Sequence, residues 1–186
     1  MLEALGHLPL DFRAMSAVSN LFRCSAAIRR HMEAEVLSAD RLSWTAFTGL
    51  WVLWIWGEME ARDFAATVGI SRPTATGVVT TLEGRGYVRR RKGERDGRMV
   101  LVWLTPAGRG KIGKLFPRFN AEETAVTTRL SDRERELLAG MLRSLLRTVE
   151  PGKASASRAV SKTASGPPSA HSVASGTGGS TRAPSA

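Results

Sequence analysis

The sequence predicts a mainly α-helical chain with one small β-hairpin. Three observations predict it. Apolar residues recur at helical spacing over most of residues 11–149, glycines and capping residues divide that pattern into segments, and only residues 87–104 alternate like strands.

Phe12, Met15, Val18, Phe22, Ile28, Met32 and Val36 step along one helical face, with Arg23, Arg29, Arg30, Glu33 and Glu35 between them. A single helix over residues 11–37 follows. At about 1.5 Å per residue it is roughly 40 Å long, more than a small core covers, so part of its apolar stripe is expected to meet another chain. Ser43 caps a second helix through Trp44, Phe47, Leu50, Trp51, Trp54 and Ile55, apolar on more than one side and therefore the central core helix. Ala61 to Val68 reads as a short helix, Gly69 as its left-handed exit and Ser71 as the N-cap of the next helix. Pro73 falls in that helix's first turn, where its missing N–H costs nothing. The helix is expected to bury Ala75, Val78, Val79 and Leu82 and to turn Arg72, Thr74, Thr76, Gly77, Thr80 and Thr81 outward.

Gly84 and Gly86 end this helix, and "YVRRRK" and "MVLVWL" form two strands joined by "GERDG". Thr105 caps a helix that starts at Pro106, and "SDRE" from Ser131 to Glu134 is a capping box opening a last helix through Leu137, Leu138, Met141, Leu145 and Leu146. Pro117 lies well inside the first of these two helices and predicts a kink or break there. From Pro151 onward the chain is nearly all Ser, Ala, Gly, Thr and Pro without aromatics, the composition of a disordered tail.

Of the formal net charge of +10, four charges belong to Lys153, Arg158, Lys162 and Arg182 in that tail and six to residues 1–150. A basic balance in both parts points to a polyanionic partner. The longest apolar stretch, "WTAFTGLWVLWIW", has 13 residues, short of the roughly 18 or more of a membrane span. The N-terminus lacks the pattern of a signal peptide. One cysteine, Cys24, permits no internal disulfide, which fits a reducing compartment. A cytoplasmic, nucleoid-associated protein without membrane contact is expected. His7, His31 and His171 are too scattered for a metal site or an acid–base pair, and no nucleophile motif or phosphate loop is present, so neither a metal, a cofactor nor catalysis is expected.

Short helix, glycine turn, helix and β-hairpin, in that order, compose a winged helix-turn-helix, in which the second helix enters the major groove of double-stranded DNA and the hairpin lies along the backbone. Arg89, Arg90, Arg91, Lys92, Arg95 and Arg98 place guanidinium and ammonium groups on that hairpin, suited to phosphates or a narrow minor groove. Strand alternation points one of Arg89, Arg90 and Arg91 inward over the apolar layer and leaves two for phosphate. Asp96, two residues before Arg98, is placed to hydrogen-bond its guanidinium and hold it extended.

The segments "LSWTAFTGLWVLW", "VGISRPTATGVVTTLEGRGYVRR" and "ERDGRMVLVWLTPAGR", with the closing helix after "LSDRE", resemble the MarR family of bacterial transcription regulators. The resemblance covers about residues 10 to 149. It implies a homodimer whose first and last helices intertwine and whose two winged domains read a pseudo-palindromic operator, and the protein is expected to be a repressor that an effector or promoter competition relieves. Residues 1–150 are then one domain, with the winged DNA-binding part at about 42–104, helical dimerisation regions at about 11–37 and 106–149, and a disordered basic tail at 151–186. Carried over by position, Ser71, Arg72, Thr74, Thr76 and Thr80 lie on the recognition helix, Arg98 is the minor-groove wing residue positioned by Asp96, and Arg95 neighbours it on the backbone. Gly77 and Thr81 stand where many relatives carry charge, which shifts affinity to the wing and base discrimination to Arg72, the recognition-helix side chain able to bond guanine bidentately.

Two rivals follow from the same residues: a non-specific architectural DNA binder, and a winged-helix protein-interaction module that lost DNA reading. Some relatives sense peroxide through a cysteine on the first helix, but the sole tyrosine here, Tyr87, lies beside the wing, so Cys24 is expected to be a small buried thiol. Trp44, Trp51 and Trp54 are candidates for lining a pocket for a small-molecule effector, although tryptophans on an apolar helical stripe more often belong to the core. Arg98→Ala is expected to weaken binding to any duplex by a similar factor and to flatten the slope of log K against log salt by about one unit. An unchanged slope in a salt titration removes Arg98 from the interface.

Overall fold

The computed structural model describes residues 8–93 and 99–150. The hairpin tip with Glu94, Arg95, Asp96 and Arg98, and the tail from Pro151, lie outside the described residues.

Helix α1 (Phe12–Met32) begins where the Asp11 carboxylate accepts from the backbone N–H groups of Arg13 and Ala14 at 2.9 and 3.0 Å. It does not run on to residue 37 as an α-helix. Glu33–Leu37 winds into a π-helical turn and Ser38–Asp40 into a 3₁₀ turn. A π turn adds a residue to the turn, and Met32, Val36 and Leu37 are all buried beneath it. The predicted stripe thus divides: its C-terminal part enters the core, while Phe12, Met15, Val18 and Phe22 are exposed. Cys24 is also exposed, against the expectation of a buried thiol, because residues 12–27 cover no core of their own chain.

Helix α2 (Trp44–Trp56) is the centre of the fold and buries Ala46, Phe47, Gly49, Leu50, Val52 and Leu53. Its first N–H groups are served twice: Ser43 Oγ accepts from Ala46 N at 3.2 Å, and Glu33, reaching from the π turn, accepts from Trp44 N at 3.1 Å. Strand β1 (Met59–Glu60) leads into helix α3 (Ala61–Val68). At the end of α3, Gly69 N donates to Ala66 O and Ile70 N to Ala65 O, and Gly69 takes φ 76°, the left-handed value that glycine adopts cheaply. Ser71 then caps helix α4 (Arg72–Gly84), accepting from Thr74 N at 3.3 Å. Ala75, Val79 and Leu82 of α4 are buried as expected, and Val78 is half-buried.

Strands β2 (Val88–Lys92) and β3 (Val100–Leu104) pair antiparallel, with Val88 opposite Leu104 and Arg90 opposite Val102. The sheet has a third strand, in the order β1-β3-β2, because Met59 pairs with Val102. Two residues are too few for alternation to announce.

Thr105 joins sheet to helix. Its N donates to Tyr87 O at 3.0 Å, its hydroxyl donates to Gly86 O at 2.6 Å, and Oγ1 accepts from Gly108 N at 3.0 Å at the start of helix α5 (Pro106–Val126). Helix α5 runs unbroken through Pro117, so of the expected kink or break the break does not occur. Leu115 and Phe119, buried on either side of the proline, hold the helix on the core. Asp40 binds Lys111 and, at 3.5 Å, Arg118 of α5, and His31 of α1 pairs with Glu122 of α5 at 2.6 Å. Helix α6 (Asp132–Val149) opens on the predicted capping box: Glu134 accepts from Ser131 N at 2.8 Å and from its hydroxyl at 2.7 Å. The chain parts into two compact units at Leu138 and Ala139, and the described part of the second exposes Met141, Leu145, Leu146 and Val149.

Two predictions follow from these contacts. A Cβ on Gly108 would stand 2.0 Å from the Tyr87 carbonyl oxygen, a backbone atom pinned by Thr105, whereas one on Gly110 would meet nothing within 4 Å. Gly108→Ala is therefore expected to cost about 3 kcal/mol or more of stability, and Gly110→Ala to be neutral or to add up to about 1 kcal/mol, read from denaturant midpoints. Equal midpoints for the two variants contradict the packing at Tyr87. The Ser131 hydroxyl, and then its backbone N–H, hold the Glu134 carboxyl below its ordinary value. This contribution to α6 is complete above the unfolded-state value and is lost as pH falls through the folded one. In Ser131→Ala the NMR titration midpoint of Glu134 is expected to rise toward that of an ordinary glutamate.

Candidate nucleic-acid interface

The candidate interface is built on α4 and the sheet beside it. Ser71 and Thr74 are engaged with each other, their hydroxyl oxygens 2.8 Å apart, so both serve the start of the helix. Thr76 donates its hydroxyl to Arg72 O at 3.1 Å and Thr81 to Gly77 O at 2.9 Å. Each hydroxyl keeps acceptor lone pairs and a methyl for an outside partner. Arg72 is exposed at the first position of α4, and its guanidinium has no hydrogen bond or ion pair among the described residues. Thr80 is exposed one turn beyond Thr76. A Cβ on Gly77 would meet nothing within 4 Å, so packing within the chain does not require glycine there.

The strand register decides where the arginines of β2 go. Arg90, opposite Val102, shares a face with the buried Val88, Val102 and Leu104, so it is the one that alternation turns inward. It reaches over α4, with Nε 3.0 Å from Glu83 Oε2 and Nη1 donating to Thr80 Oγ1 at 3.4 Å. Arg89, opposite Trp103, and Arg91, opposite Leu101, point to the other face. Arg91 lies 5.9 Å over the Trp103 ring and pairs with Glu58 at 3.4 Å. Between α4 and the sheet runs an open groove lined by Arg72, Ala75, Thr76 and Val79 on one side and by Arg90, Val100, Val102 and Arg62 on the other. Arg62 is held by Glu60 at 2.7 Å and Asp63 at 3.6 Å.

The described structure thus brings Arg72, Thr76 and Arg90 to one groove, joins Thr80 to Arg90, leaves Ser71 and Thr74 engaged with each other at the start of α4, and carries Arg89 and Arg91 on the far face of the strand. Arg95, Asp96 and Arg98 belong to the undescribed tip. Sequence reasoning missed Glu83, Glu58 and Arg62. Glu83 carried no local signal, since its partner is seven positions away across a helix-to-strand turn.

The tryptophans of α2 pack into the core rim. Trp44 is tilted on Phe119 at 5.8 Å, Trp54 on Phe116 at 5.5 Å, and Trp51 stands edge-on to Trp56 at 5.9 Å. All are half-buried against the core, and Trp51 Nε1 is buried without a hydrogen-bond partner among the described residues.

Two helices joined by a glycine turn, a following antiparallel hairpin and a basic groove between them define a winged helix-turn-helix transcription regulator. Comparison with known proteins agrees. Residues 42–100 match the MarR family. The uncharacterized HTH-type transcriptional regulator YwaE of Bacillus subtilis (strain 168) is 40% identical over 136 residues, which span 73% of this chain and 80% of that protein. Among solved structures, a probable transcriptional regulator from Pseudomonas aeruginosa aligns over 67% of this chain and 92% of its own at 26% identity and a TM-score of 0.62. BpsR of Bordetella bronchiseptica, solved in a study of how 6-hydroxynicotinic acid regulates its DNA binding, aligns over 69% and 98% at 25% identity and a TM-score of 0.63. MepR of S. aureus, solved with DNA, shares the fold at 21% identity and a TM-score of 0.64 over 71% of this chain and 97% of that one. The chain belongs to the MarR family and is a sequence-specific DNA-binding transcription regulator. No helix of the described residues is long and apolar enough to cross a membrane.

Proposed function

We propose that the protein acts as a homodimeric repressor at a pseudo-palindromic operator, without catalytic activity, in the cytoplasm and at the nucleoid. The observation that carries this reading is α4: capped by Ser71, backed by the buried Ala75, Val79 and Leu82, it presents an exposed Arg72, without a partner among the described residues, and a row of threonines beside the arginines of β2. In a major groove, Arg72 is the side chain of α4 that bonds guanine bidentately, and Thr76, with its hydroxyl turned to the Arg72 carbonyl, offers a methyl to thymine. Arg89, Arg91 and, outside the described residues, Arg95 and Arg98 are assigned to phosphates and the minor groove of the flanks.

Dimerisation rests on uncovered apolar surface. Phe22 of α1 is 71% exposed and Val149 of α6 is 73% exposed, each in a row of exposed apolar residues that an isolated chain leaves in water. Two recognition helices in such a dimer read adjacent major grooves about one turn apart. An effector is the further partner we infer, supported by the buried Trp51 Nε1, an indole donor without an acceptor among the described residues.

The test is binding of the purified protein to its own upstream DNA and to scrambled DNA of equal composition, at two salt concentrations. Preference for the native fragment that survives high salt supports the reading. Equal, salt-sensitive binding supports a non-specific architectural binder, and binding to neither supports a protein-interaction module. On the native fragment Arg72→Ala is expected to cost about 1–3 kcal/mol while scrambled DNA is bound almost as before. A uniform loss on both duplexes reassigns Arg72 to the phosphates.

A further inference from the structure

Arg90 is held by the recognition helix. Glu83 and Thr80 are one helical turn apart on α4, and both engage the same guanidinium, at 3.0 and 3.4 Å. Arg90 lines the groove that Arg72 and Thr76 also line, and 38% of its side chain and 32% of that of Glu83 are exposed. An ion pair so exposed adds little to folding stability. A carboxylate beside a DNA-binding surface also opposes phosphate. Neither stability nor simple attraction to DNA accounts for a glutamate here.

We infer that Glu83 is a specificity-determining residue that acts through Arg90. By neutralising the guanidinium and clipping it to α4 beside Thr80, it withholds one cation from indiscriminate phosphate contact and ties the wing strand to the recognition helix at a set spacing. Binding then depends more on base contacts, which discriminate sequences, and less on phosphate contacts, which do not. Glu83 is a positioning residue in this scheme: it touches Arg90, not DNA. The inference rests on the reading of α4 and β2 as the DNA-binding face.

The experiment is a salt titration of binding to the native upstream fragment and to scrambled duplex by the full chain, as wild type, Glu83→Gln, Arg90→Gln and the double variant, with thermal melts to verify folding. Releasing Arg90 adds one phosphate contact. Glu83→Gln is therefore expected to tighten binding to scrambled DNA, to steepen the slope of log K against log salt by about one unit, and to lower the native-to-scrambled ratio several-fold. In the Arg90→Gln background the same glutamate change is expected to move the slope by less than about 0.3 units, since no guanidinium remains to be released. An unchanged slope in Glu83→Gln overturns the inference. So does an equal steepening in both backgrounds, which would make Glu83 a bulk negative charge acting on DNA directly. Failure of the wild-type chain to bind either duplex is a different result, and removes the DNA-binding face itself together with the inference.

Discussion

Phe64 rests on bare backbone at Gly49, and the geometry of the DNA-binding part depends on that contact. Phe64 is fully buried, and a Cβ on Gly49 would stand 2.9 Å from its Cζ and 3.6 Å from Val78 Cγ1. The central helix, the short helix and the recognition helix therefore meet at one point, where a missing side chain on the first makes room for the ring of the second and a methyl of the third. Burying a phenylalanine contributes about 1.5–3 kcal/mol through apolar area. Its larger consequence is directional, because close-packed interiors accept few alternatives. With α3 seated on α2 and the Gly69 turn allowing only a short connection, α4 has one way to lie, and its threonine face is turned outward.

The polar contacts around this core are placed where the chain changes element. Glu33 reaches from the π turn to the first N–H of α2, Thr105 ties the end of the sheet to the loop after α4, and Asp40 gathers Lys111 and Arg118 of α5. No side chain of a charged residue is buried among the described residues. Ionic contacts here set the angles between elements that apolar packing already holds together, at little desolvation cost.

The same economy governs the binding face. Its formal basic charge overstates the cations on offer: Arg90 is matched by Glu83 and Arg62 by Glu60 and Asp63, whereas Arg72 has no partner among the described residues. A surface arranged this way has a weaker uniform attraction for phosphate than its composition implies. The Arg72 guanidinium stands at the helix start, where a recognition helix enters the groove and where a bidentate donor distinguishes guanine from other bases.

Much of this molecule was legible in the amino-acid sequence because the signals were local. Ser43, Gly69, Ser71, Pro73, Thr105, Pro106 and the Ser131–Glu134 box act on groups within four residues of themselves, and they placed most helix boundaries correctly. Strand alternation correctly turned one arginine of Arg89, Arg90 and Arg91 inward, though only the register with β3 chose Arg90. Tertiary structure alone decided the rest. The π turn after Met32, the strand at Met59, the continuous helix through Pro117 and the pairing of Arg90 with Glu83 each depend on neighbours distant in the chain or across a turn, and the exposure of Cys24 on the lack of any from its own core. Sequence determines what each segment can form, since hydrogen-bonding and backbone preferences act at short range. Which face it shows and which charges it leaves free are settled only when remote segments compete for the same core.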